Sequence, residues 1–572
     1  MHPFGLPPIL ASTMTTRHLI LGFDGADLEL IRELGAETLP HLHAQMRAGA
    51  FAALRSAMPP ATLPNWTTFL TGGDPGQHGV FDFAERRDYG VHFVGGTRRA
   101  MPTLWSRLDR LGMRCASIGF PATWPPEELG QGYFISGWDS PVAFEADASY
   151  VWPPDLHSEI ERRFGILRFD EFDQFRADAR GWHAALGDNL VRRIEARCAL
   201  ACWLLDRKEW DFFAFYFGES DTAAHHLWSL HDPNSPRRPA QVDPAEGKAL
   251  AAVYRALDAA LGKLLAHAGG SGVELTLVSD HGSGGASDKV LYLNRWLQEA
   301  GFLHFREATS LPLVQGLKHA ALSYLPPRWR ERIFRFRDRA LANRLESMSR
   351  FGAIDMAQSE VFSDELNYFP ALHLNLRGRE SLGRVAPEER WTIAARLREA
   401  CGRLRDPWTG KAVVRALHTR ESLFVGEHIE RAPDFLLELE LDAGYSYNLM
   451  PSASAPRGTG AWRKLGPEEY LGRKGRSLPG SHRPRGLFLA SGPSVAPVGE
   501  IDAAIADASA TLLARAGIAL PEDLSGRVLW EALRETTSAE ALALPAAEQR
   551  RARSEGDPAR LEERLRLLGY MD

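Results

Sequence analysis

Five short, mostly apolar runs are the feature that most constrains how this 572-residue chain can fold. Each has the length of a strand buried on both faces of a sheet. The runs are HLILGF (18–23), CASIGF (115–120), FFAFYF (212–217), VELTLVS (273–279) and GLFLAS (486–491). Between them, apolar residues recur at three- and four-residue spacing and predict helices over 188–208, 245–269 and 501–518. This alternation predicts an α/β fold, with a mostly parallel central sheet and helices on both faces.

The chain is too long for one simple domain, and the strand–helix rhythm is interrupted once. The interrupted part includes a basic, aromatic segment at 328–350, which we interpret as a solvated helix face rather than an anion-binding surface. We therefore predict a smaller inserted α/β lobe between two parts of a catalytic core. The predicted units are an N-terminal extension (1–17), the first part of the core (18–300), the lobe (301–465), the second part of the core (466–535) and a charged helical tail (536–572).

Composition excludes some classes of partner. The net charge of -6 gives no electrostatic reason to expect a nucleic acid. The N-terminus lacks a basic region before its apolar residues, and no uninterrupted apolar run of about 18 residues occurs, so we expect no stable membrane association and a cytoplasmic location. The four cysteines form no CxxC pair and are interpreted as core residues. Nothing in the sequence indicates an oligomeric state.

Acidic and imidazole side chains gather at the ends of the predicted strands. Loops that leave the carboxyl ends of parallel strands meet at one edge of the sheet, so we expect these side chains to converge there. Oxygen and nitrogen ligands without thiolates suit two catalytic cations, zinc first and manganese second. Taken singly, each aspartate could instead be a cap or turn residue, and His225 could be a surface residue with His226 competing for its role. The predicted metal ligands are Asp24, Asp221, His225, Asp280, His281 and His482.

Thr62 is the candidate nucleophile. It lies at the entrance of a predicted helix, LPNWTTFLTG, in which Pro64 suits the first turn. Backbone N–H groups at a helix N-terminus hold anionic phosphoryl groups. A threonine hydroxyl needs activation by a base or a metal to act as a nucleophile, and the alternative role for Thr62 is a helix cap. Thr67, Thr68 and Thr71 fit packing or capping.

With these motifs in place, the chain resembles the alkaline phosphatase superfamily, in the branch of type I phosphodiesterases and nucleotide pyrophosphatases. The matching stretches occur in the same order, which is more specific than any one of them. They are LILGFDGAD, PPATLPNWTTFLTGGDPGQHGVFDF, ESDTAAHH, VSDHG and GSHRPRG. Two further stretches, HLNLRGRESLGRV and LEERLRLLGYM, narrow the likeness to members described as predicted phosphohydrolases or phosphomutases.

The resemblance implies a division of the ligands and a mechanism. Asp221, His225 and His482 would bind one metal; Asp24, Asp280 and His281 would bind the second, beside Thr62. The expected reaction is hydrolysis of a phosphate monoester or diester of a small phosphorylated substrate through a phosphothreonine intermediate. Two departures matter: Phe83 stands where the diesterases of the branch carry an asparagine, and the sulfatase nucleophile motif is absent.

Three questions stay open from the sequence. A phosphomutase of the same superfamily would return the phosphoryl group to the substrate, although such mutases usually present serine at the nucleophile. A metal-stabilised binding protein without turnover is the alternative from another class. The basic residues Lys289, Arg483 and Arg485 could meet a second anionic group of the substrate or could be ordinary surface residues.

Overall fold

A computed structural model describes residues 16–82, 84–94, 96–137, 148–165, 181–306, 351–365, 370–456, 458–472 and 477–534. The predicted basic segment at 328–350 and the predicted tail at 536–572 lie outside the described residues. So does the predicted extension, apart from its last two residues. Among the helices that are described, none combines the length and the apolarity needed to cross a bilayer.

The strands of the described chain form one large sheet and several smaller ones. They are β1 (Arg17–Phe23), β2 (Ala50–Arg55), β3 (Ala84–Arg87), β4 (Gly90–Phe93), β5 (Cys115–Ile118), β6 (Tyr133–Ile135), β7 (Val151–Trp152), β8 (Phe212–Phe217), β9 (Val273–Val278), β10 (Gly282–Leu291), β11 (Val361–Phe362), β12 (Ala371–Leu374), β13 (Val414–Thr419), β14 (Phe435–Leu439), β15 (Ser446–Leu449), β16 (Trp462–Lys464), β17 (Gly480–Arg483), β18 (Arg485–Ser491) and β19 (Gly499–Glu500).

The large sheet has the order β19-β2-β18-β9-β1-β8-β5-β6-β7. Strands β9, β1, β8, β5 and β6 are mutually parallel. Strand β18 runs antiparallel to both of its neighbours, and β7 runs antiparallel to β6. All five predicted runs lie in this sheet, so the prediction of a mostly parallel central sheet is confirmed.

Helices cover both faces of this sheet. The described α-helices are α1 (Leu28–Thr38), α2 (Pro40–Ala48), α3 (Thr62–Thr71), α4 (Pro75–His78), α5 (Leu104–Arg110), α6 (Pro154–Phe164), α7 (Trp182–Arg207), α8 (Glu219–His231), α9 (Pro244–Ala268), α10 (Leu293–Glu299), α11 (Arg390–Arg403), α12 (Arg420–Leu423) and α13 (Ile505–Arg515). Helices α1, α2, α6, α7, α8 and α9 bury apolar residues against one face, and α3, α5 and α13 against the other. The three predicted helices correspond to α7, α9 and a shorter α13.

A second hydrophobic cluster surrounds a four-stranded sheet with the order β11-β12-β14-β13. Helices α10 and α11 contribute to it, as do residues near the end of β10. Strand β10 joins the two parts of the molecule, because its first residues pair with β17 and its last residues pair with β15 and β16. The boundaries proposed for the lobe and the core stay predictions.

A buried ion pair attaches α13 to the central sheet. Arg515 is at the end of this helix, and its guanidinium donates hydrogen bonds to Glu274, to the carbonyl oxygen of Leu275 at 3.0 Å and to that of Ser491 at 3.0 Å. The side chains of Arg515 and Glu274 are only 1% and 3% exposed. Such a pair depends on both partners, because one buried charge left alone is strongly unfavourable.

We expect Arg515→Met to lower the free energy of unfolding by about 3–5 kcal/mol, since Glu274 would remain buried without its cation. The control is Arg403→Met, whose partner Glu399 is exposed, with an expected loss below about 1 kcal/mol. Urea unfolding followed by circular dichroism measures both variants. Equal midpoints for the two would contradict this account of the ion pair.

Candidate active site

The predicted ligands lie at one edge of the central sheet. Asp24 directly follows β1, Asp221 is in the first turn of the helix after β8, and Asp280 and His281 follow β9. These three strands are parallel, so their carboxyl ends meet. His482 reaches the same edge from the opposite direction, because β17 leads into the antiparallel β18 and pairs with the start of β10.

The first group of ligand atoms is compact. Asp221 Oδ1 lies 3.3 Å from His225 Nε2 and 3.5 Å from His482 Nε2. The two imidazole nitrogens, Nε2 of His225 and Nε2 of His482, are 3.0 Å apart. Three such atoms around one point form the arrangement that a single cation needs.

The second group adjoins the first. His281 Nε2 lies 3.2 Å from Asp280 Oδ2 and 3.6 Å from Asp24 Oδ1. The His281 ring stacks on the His482 ring with centroids 3.6 Å apart, and Asp221, His281 and His482 also each place one atom within 4.8 Å of the others. His281 therefore borders both groups, and the structure brings all six predicted ligands together.

Each carboxylate of the second group has one oxygen held by the protein. Asp24 Oδ2 accepts hydrogen bonds from Trp66 Nε1 at 3.0 Å and from the Tyr216 hydroxyl at 2.6 Å. Asp280 Oδ1 accepts one from the backbone N–H of Gly25 at 3.1 Å. The other oxygens, Asp24 Oδ1 and Asp280 Oδ2, are buried and have no hydrogen-bond partner among the described residues; the same is true of Asp221 Oδ1. These three oxygens are therefore available to a cation.

In each of the three imidazoles, Nδ1 faces a backbone carbonyl oxygen. His225 Nδ1 lies 3.1 Å from the carbonyl oxygen of Gly480, His281 Nδ1 lies 3.0 Å from that of Gly282, and His482 Nδ1 lies 2.9 Å from that of Pro60. A ring nitrogen that faces a carbonyl oxygen carries the proton, so Nε2 presents its lone pair to the site. This second hydrogen bond is the usual way in which a protein fixes a metal-binding histidine.

The electrostatics also fit divalent cations. Burial, and then the nearby Asp221, raise the pKa of Asp24 to about 8. Burial and Asp24 raise the pKa of Asp280 well above its ordinary value, while burial and His482 lower the pKa of His281. Burial alone would raise the pKa of Asp221, but His225 and His482 bring it well below its ordinary value. Bound cations would relieve the repulsion between the carboxylates and keep them ionised.

Thr62 lies beside these ligands. It is the first residue of α3, is half-buried, and its Oγ1 is 3.4 Å from His281 Nε2. The cap residue of this helix is Ala61, and no side chain caps it, so Thr62 does not have the capping role that was its alternative. Thr67 and Thr71 donate to backbone carbonyl oxygens of α3, as expected for packing residues.

The roles of several supporting residues cannot be predicted from the sequence. Trp66 is fully buried, and its indole N–H donates a hydrogen bond to Asp24 Oδ2. Asn65 braces the loop ahead of Thr62, because its Nδ2 donates to the carbonyl oxygens of Pro59 and Ala61. Each of these contacts depends on the folded arrangement of the loop and the sheet.

Arg237 holds the segment that leads into β17. It is fully buried and follows α8, and its guanidinium donates to the carbonyl oxygens of Tyr470 at 2.9 Å and Leu478 at 2.7 Å and to the Ser477 hydroxyl at 2.8 Å. These bonds connect the part of the chain after Asp221 to the part before His482.

Lys289 has neither of the two roles that the sequence left open for it. Its Nζ is 2.6 Å from Asp406 Oδ2 and 2.9 Å from Asp442 Oδ1, so it is neither a substrate contact nor a surface residue. Arg483 is also used internally, since it donates to the carbonyl oxygens of Gly285 and Gly444. Arg485 is exposed at the start of β18.

Comparisons with known proteins identify one family. The family described as Type I phosphodiesterase / nucleotide pyrophosphatase matches residues 18–462. Among solved structures, the murine ectonucleotide pyrophosphatase/phosphodiesterase 5 aligns at 13% identity and a TM-score of 0.46, covering 91% of this chain and 100% of that chain. An inactive variant of that protein in complex with AMP gives the same values of 13%, 0.46, 91% and 100%. No curated protein matches the chain.

We expect Trp66→Phe to weaken divalent-metal affinity by about tenfold, because Asp24 loses one of the two donors that orient its carboxylate. Chelator competition with zinc measures the affinity. Trp105→Phe is the matched control, since Trp105 is equally buried in the core and its indole Nε1 has no hydrogen-bond partner among the described residues. An unchanged affinity in Trp66→Phe would remove the supporting role of this residue.

Proposed function

The chain belongs to the type I phosphodiesterase/nucleotide pyrophosphatase family, and we propose that it is a metal-dependent phosphohydrolase that cleaves a phosphate monoester or diester with Thr62 as nucleophile. The observation that carries the proposal is the position of Thr62 Oγ1, 3.4 Å from His281 Nε2 at the border of both ligand groups. A hydroxyl with a capping role or with a backbone acceptor would not support it.

Asp221, His225 and His482 would hold one cation, and Asp24, Asp280 and His281 would hold the second. This set of carboxylates and imidazoles favours zinc, with manganese as the alternative. When bound, two such cations supply positive charge that acidifies a hydroxyl and stabilises the phosphoryl oxygens.

In the proposed reaction, Thr62 Oγ1 attacks phosphorus while the bond from phosphorus to the leaving oxygen breaks, which releases an alcohol and forms a phosphothreonine; from a diester, this threonyl phosphate keeps the second ester arm. Water then attacks the phosphorus of the intermediate, restores the Thr62 hydroxyl, and releases phosphate from a monoester substrate or a phosphate monoester from a diester. The first N–H groups of α3 have no acceptor within the helix, so they and the helix dipole favour the anionic phosphoryl group at this position. Asn65 holds the preceding loop in place, which keeps Thr62 aligned.

We also place the protein in the cytoplasm. The support is that all four cysteines, Cys115, Cys198, Cys202 and Cys401, are free thiols, as is usual in a reducing compartment. Fractionation of cells that express the full chain tests this, and recovery of the protein in the medium would contradict it.

We expect Thr62→Ala to fold normally and to lose at least ~10³-fold in turnover of 4-nitrophenyl phosphate or a bis-aryl diester, the scale seen when a covalent nucleophile is removed. Thr62→Ser should retain part of the activity. Thr67→Ala, in the same helix, is the control and should stay within a few-fold of the wild type. Turnover near the wild-type level in Thr62→Ala would end the assignment.

Treatment with a chelator should abolish turnover, and zinc or manganese should restore it, because the carboxylates repel one another without cations. The measurement is activity after dialysis together with metal content by mass spectrometry. Full activity in metal-free protein would refute the metal dependence. Release of free phosphate from a monoester, or of a phosphate monoester and an alcohol from a diester, rather than an isomerised phosphate ester, separates the hydrolase from a mutase.

A further inference from the structure

Three arginines surround one glutamate near the hairpin of β3 and β4. Arg87 is on β3, Arg98 follows the hairpin, and Arg431 comes from the segment between α12 and β14. Arg98 forms an ion pair with Glu85, Arg431 Nε lies 3.5 Å from Glu85 Oε1, and Arg87 lies 3.8 Å from Glu85 Oε2. We call Glu85, Arg87, Arg98 and Arg431 the arginine cluster.

The arginine cluster carries more positive than negative charge. Within the described part of the chain, the ion pairs of all three arginines converge on Glu85. Burial lowers the pKa of Arg431, Glu85 opposes this shift, and Arg98 and Arg87 add to the lowering. The repulsion between the guanidinium groups is therefore only partly relieved by the protein itself.

Neighbouring arginines differ in this respect. Arg86 meets Glu380 at 2.7 Å, and Arg99 meets Glu127 at 2.6 Å and the carbonyl oxygen of Ala122 at 2.9 Å. In contrast, Arg431 has no carboxylate to itself: it shares Glu85 with Arg98 and Arg87, and its Nε lies 3.5 Å from Glu85 Oε1. An anionic ligand would supply the acceptor that a shared carboxylate gives only in part.

Packing contacts connect the arginine cluster to the residue that follows the candidate nucleophile. The backbone of Gly79 packs on Arg431, because a Cβ added at Gly79 would be 2.6 Å from Arg431 Nη1. The next residue, Val80, packs in a small apolar cluster with Leu63, which directly follows Thr62. The side chains of Arg98 and Arg431 are 33% and 26% exposed, so a ligand can reach them.

We propose that Arg98 and Arg431 form a subsite for a second anionic group, a phosphate or a carboxylate, on the substrate whose ester bond is cleaved at Thr62. The guanidinium group binds both kinds of oxyanion in a bidentate manner. Glu85 holds the two arginines in place and limits their affinity for the ligand. The inference rests on the proposed hydrolase function and assigns one determinant of substrate choice to the lobe, which supplies Arg431.

The test compares 4-nitrophenyl phosphodiesters that differ only in the second ester arm. The arm is an alkyl chain that ends in a methyl, a carboxylate or a phosphate group, prepared at several lengths so that one can span the distance to the arginine cluster. The leaving group is the same in all, so the ratio of kcat/KM between charged and neutral arms reports binding of the distal group. We expect a preference of about tenfold for a charged arm, the effect of a charge-assisted hydrogen bond, and a weaker preference at high salt.

We expect the variants to change the preference for charged arms in opposite directions. Arg431→Met and Arg98→Met should each reduce the preference for charged arms several-fold, whereas Glu85→Gln should increase it, because the carboxylate that competes with the ligand is gone. Arg415→Met is the matched control: Arg415 is an exposed lobe arginine paired with Glu438 and Glu440, and its loss should leave the preference as in the wild type. A preference for the phosphate arm alone identifies a phosphate subsite, and equal preference for both charged arms identifies a general anion subsite.

The proposal is overturned if the wild type shows no preference at any arm length. It is also overturned if Glu85→Gln and Arg431→Met change the rates of charged and neutral diesters equally, which is the behaviour of a merely structural cluster. If neither these diesters nor 4-nitrophenyl phosphate is hydrolysed, the proposed function fails. Where the diesters are not hydrolysed, calorimetric titration of metal-loaded Thr62→Ala protein with the same diesters still tests the subsite, through the ratio of Kd values.

Discussion

The crowding of three carboxylates, two buried and one half-buried, is the constraint on which the rest of this structure depends. Asp24, Asp221 and Asp280 cannot all stay ionised so close together unless positive charge lies among them, as the raised pKa values of Asp24 and Asp280 show. The buried donors bind only the outer oxygens of two of these carboxylates. Trp66 and Tyr216 donate to Asp24 Oδ2, and the backbone N–H of Gly25 donates to Asp280 Oδ1. The inner oxygens, Asp24 Oδ1 and Asp280 Oδ2, have no hydrogen-bond partner among the described residues, which supports the proposal that cations complete this site.

The antiparallel direction of strand β18 brings one further ligand, His482, to the group of carboxylates. In a sheet made only of parallel strands with helical crossovers, every ligand would follow the carboxyl end of a strand. His482 instead lies just before the start of β18. Strand β17 pairs with β10, and in this pairing His482 lies opposite Ser283, two residues after His281. The imidazoles of His281 and His482 can then stack, which keeps the two ligand groups adjacent. One antiparallel strand thus closes the site without disturbing the parallel strands that carry the aspartates.

The parts of this arrangement that can be predicted from sequence are those with local signals. HLILGF followed by Asp24 and VELTLVS followed by Asp280 each join a buried apolar run to a polar residue, so these strands and the ligands at their ends can be predicted from the sequence. Strand β2 cannot be predicted in this way, since AFAALR is rich in alanine and lacks the β-branched residues typical of strands. Strand β10 starts with small and polar residues, GSGGASD, although it is almost entirely buried. The burial of Lys289 depends on Asp406 and Asp442, which are distant in sequence, and no periodic pattern reports such pairing.

The hairpin of β3 and β4 connects the predicted lobe to the stretch that carries the candidate nucleophile. Its outer side is fixed to the lobe, where Arg86 meets Glu380 and the Tyr89 hydroxyl donates to Asn375. The stretch just before it supplies Gly79 and Val80, which connect Arg431 to Leu63, the residue after the proposed nucleophile Thr62. A substitution in the lobe can therefore alter the arginine cluster while the six ligands, all held by core strands and their loops, keep their positions. Under the proposed roles, core strands and their loops hold the residues of the chemistry, whereas the predicted lobe, which supplies Arg431, contributes to the choice of substrate.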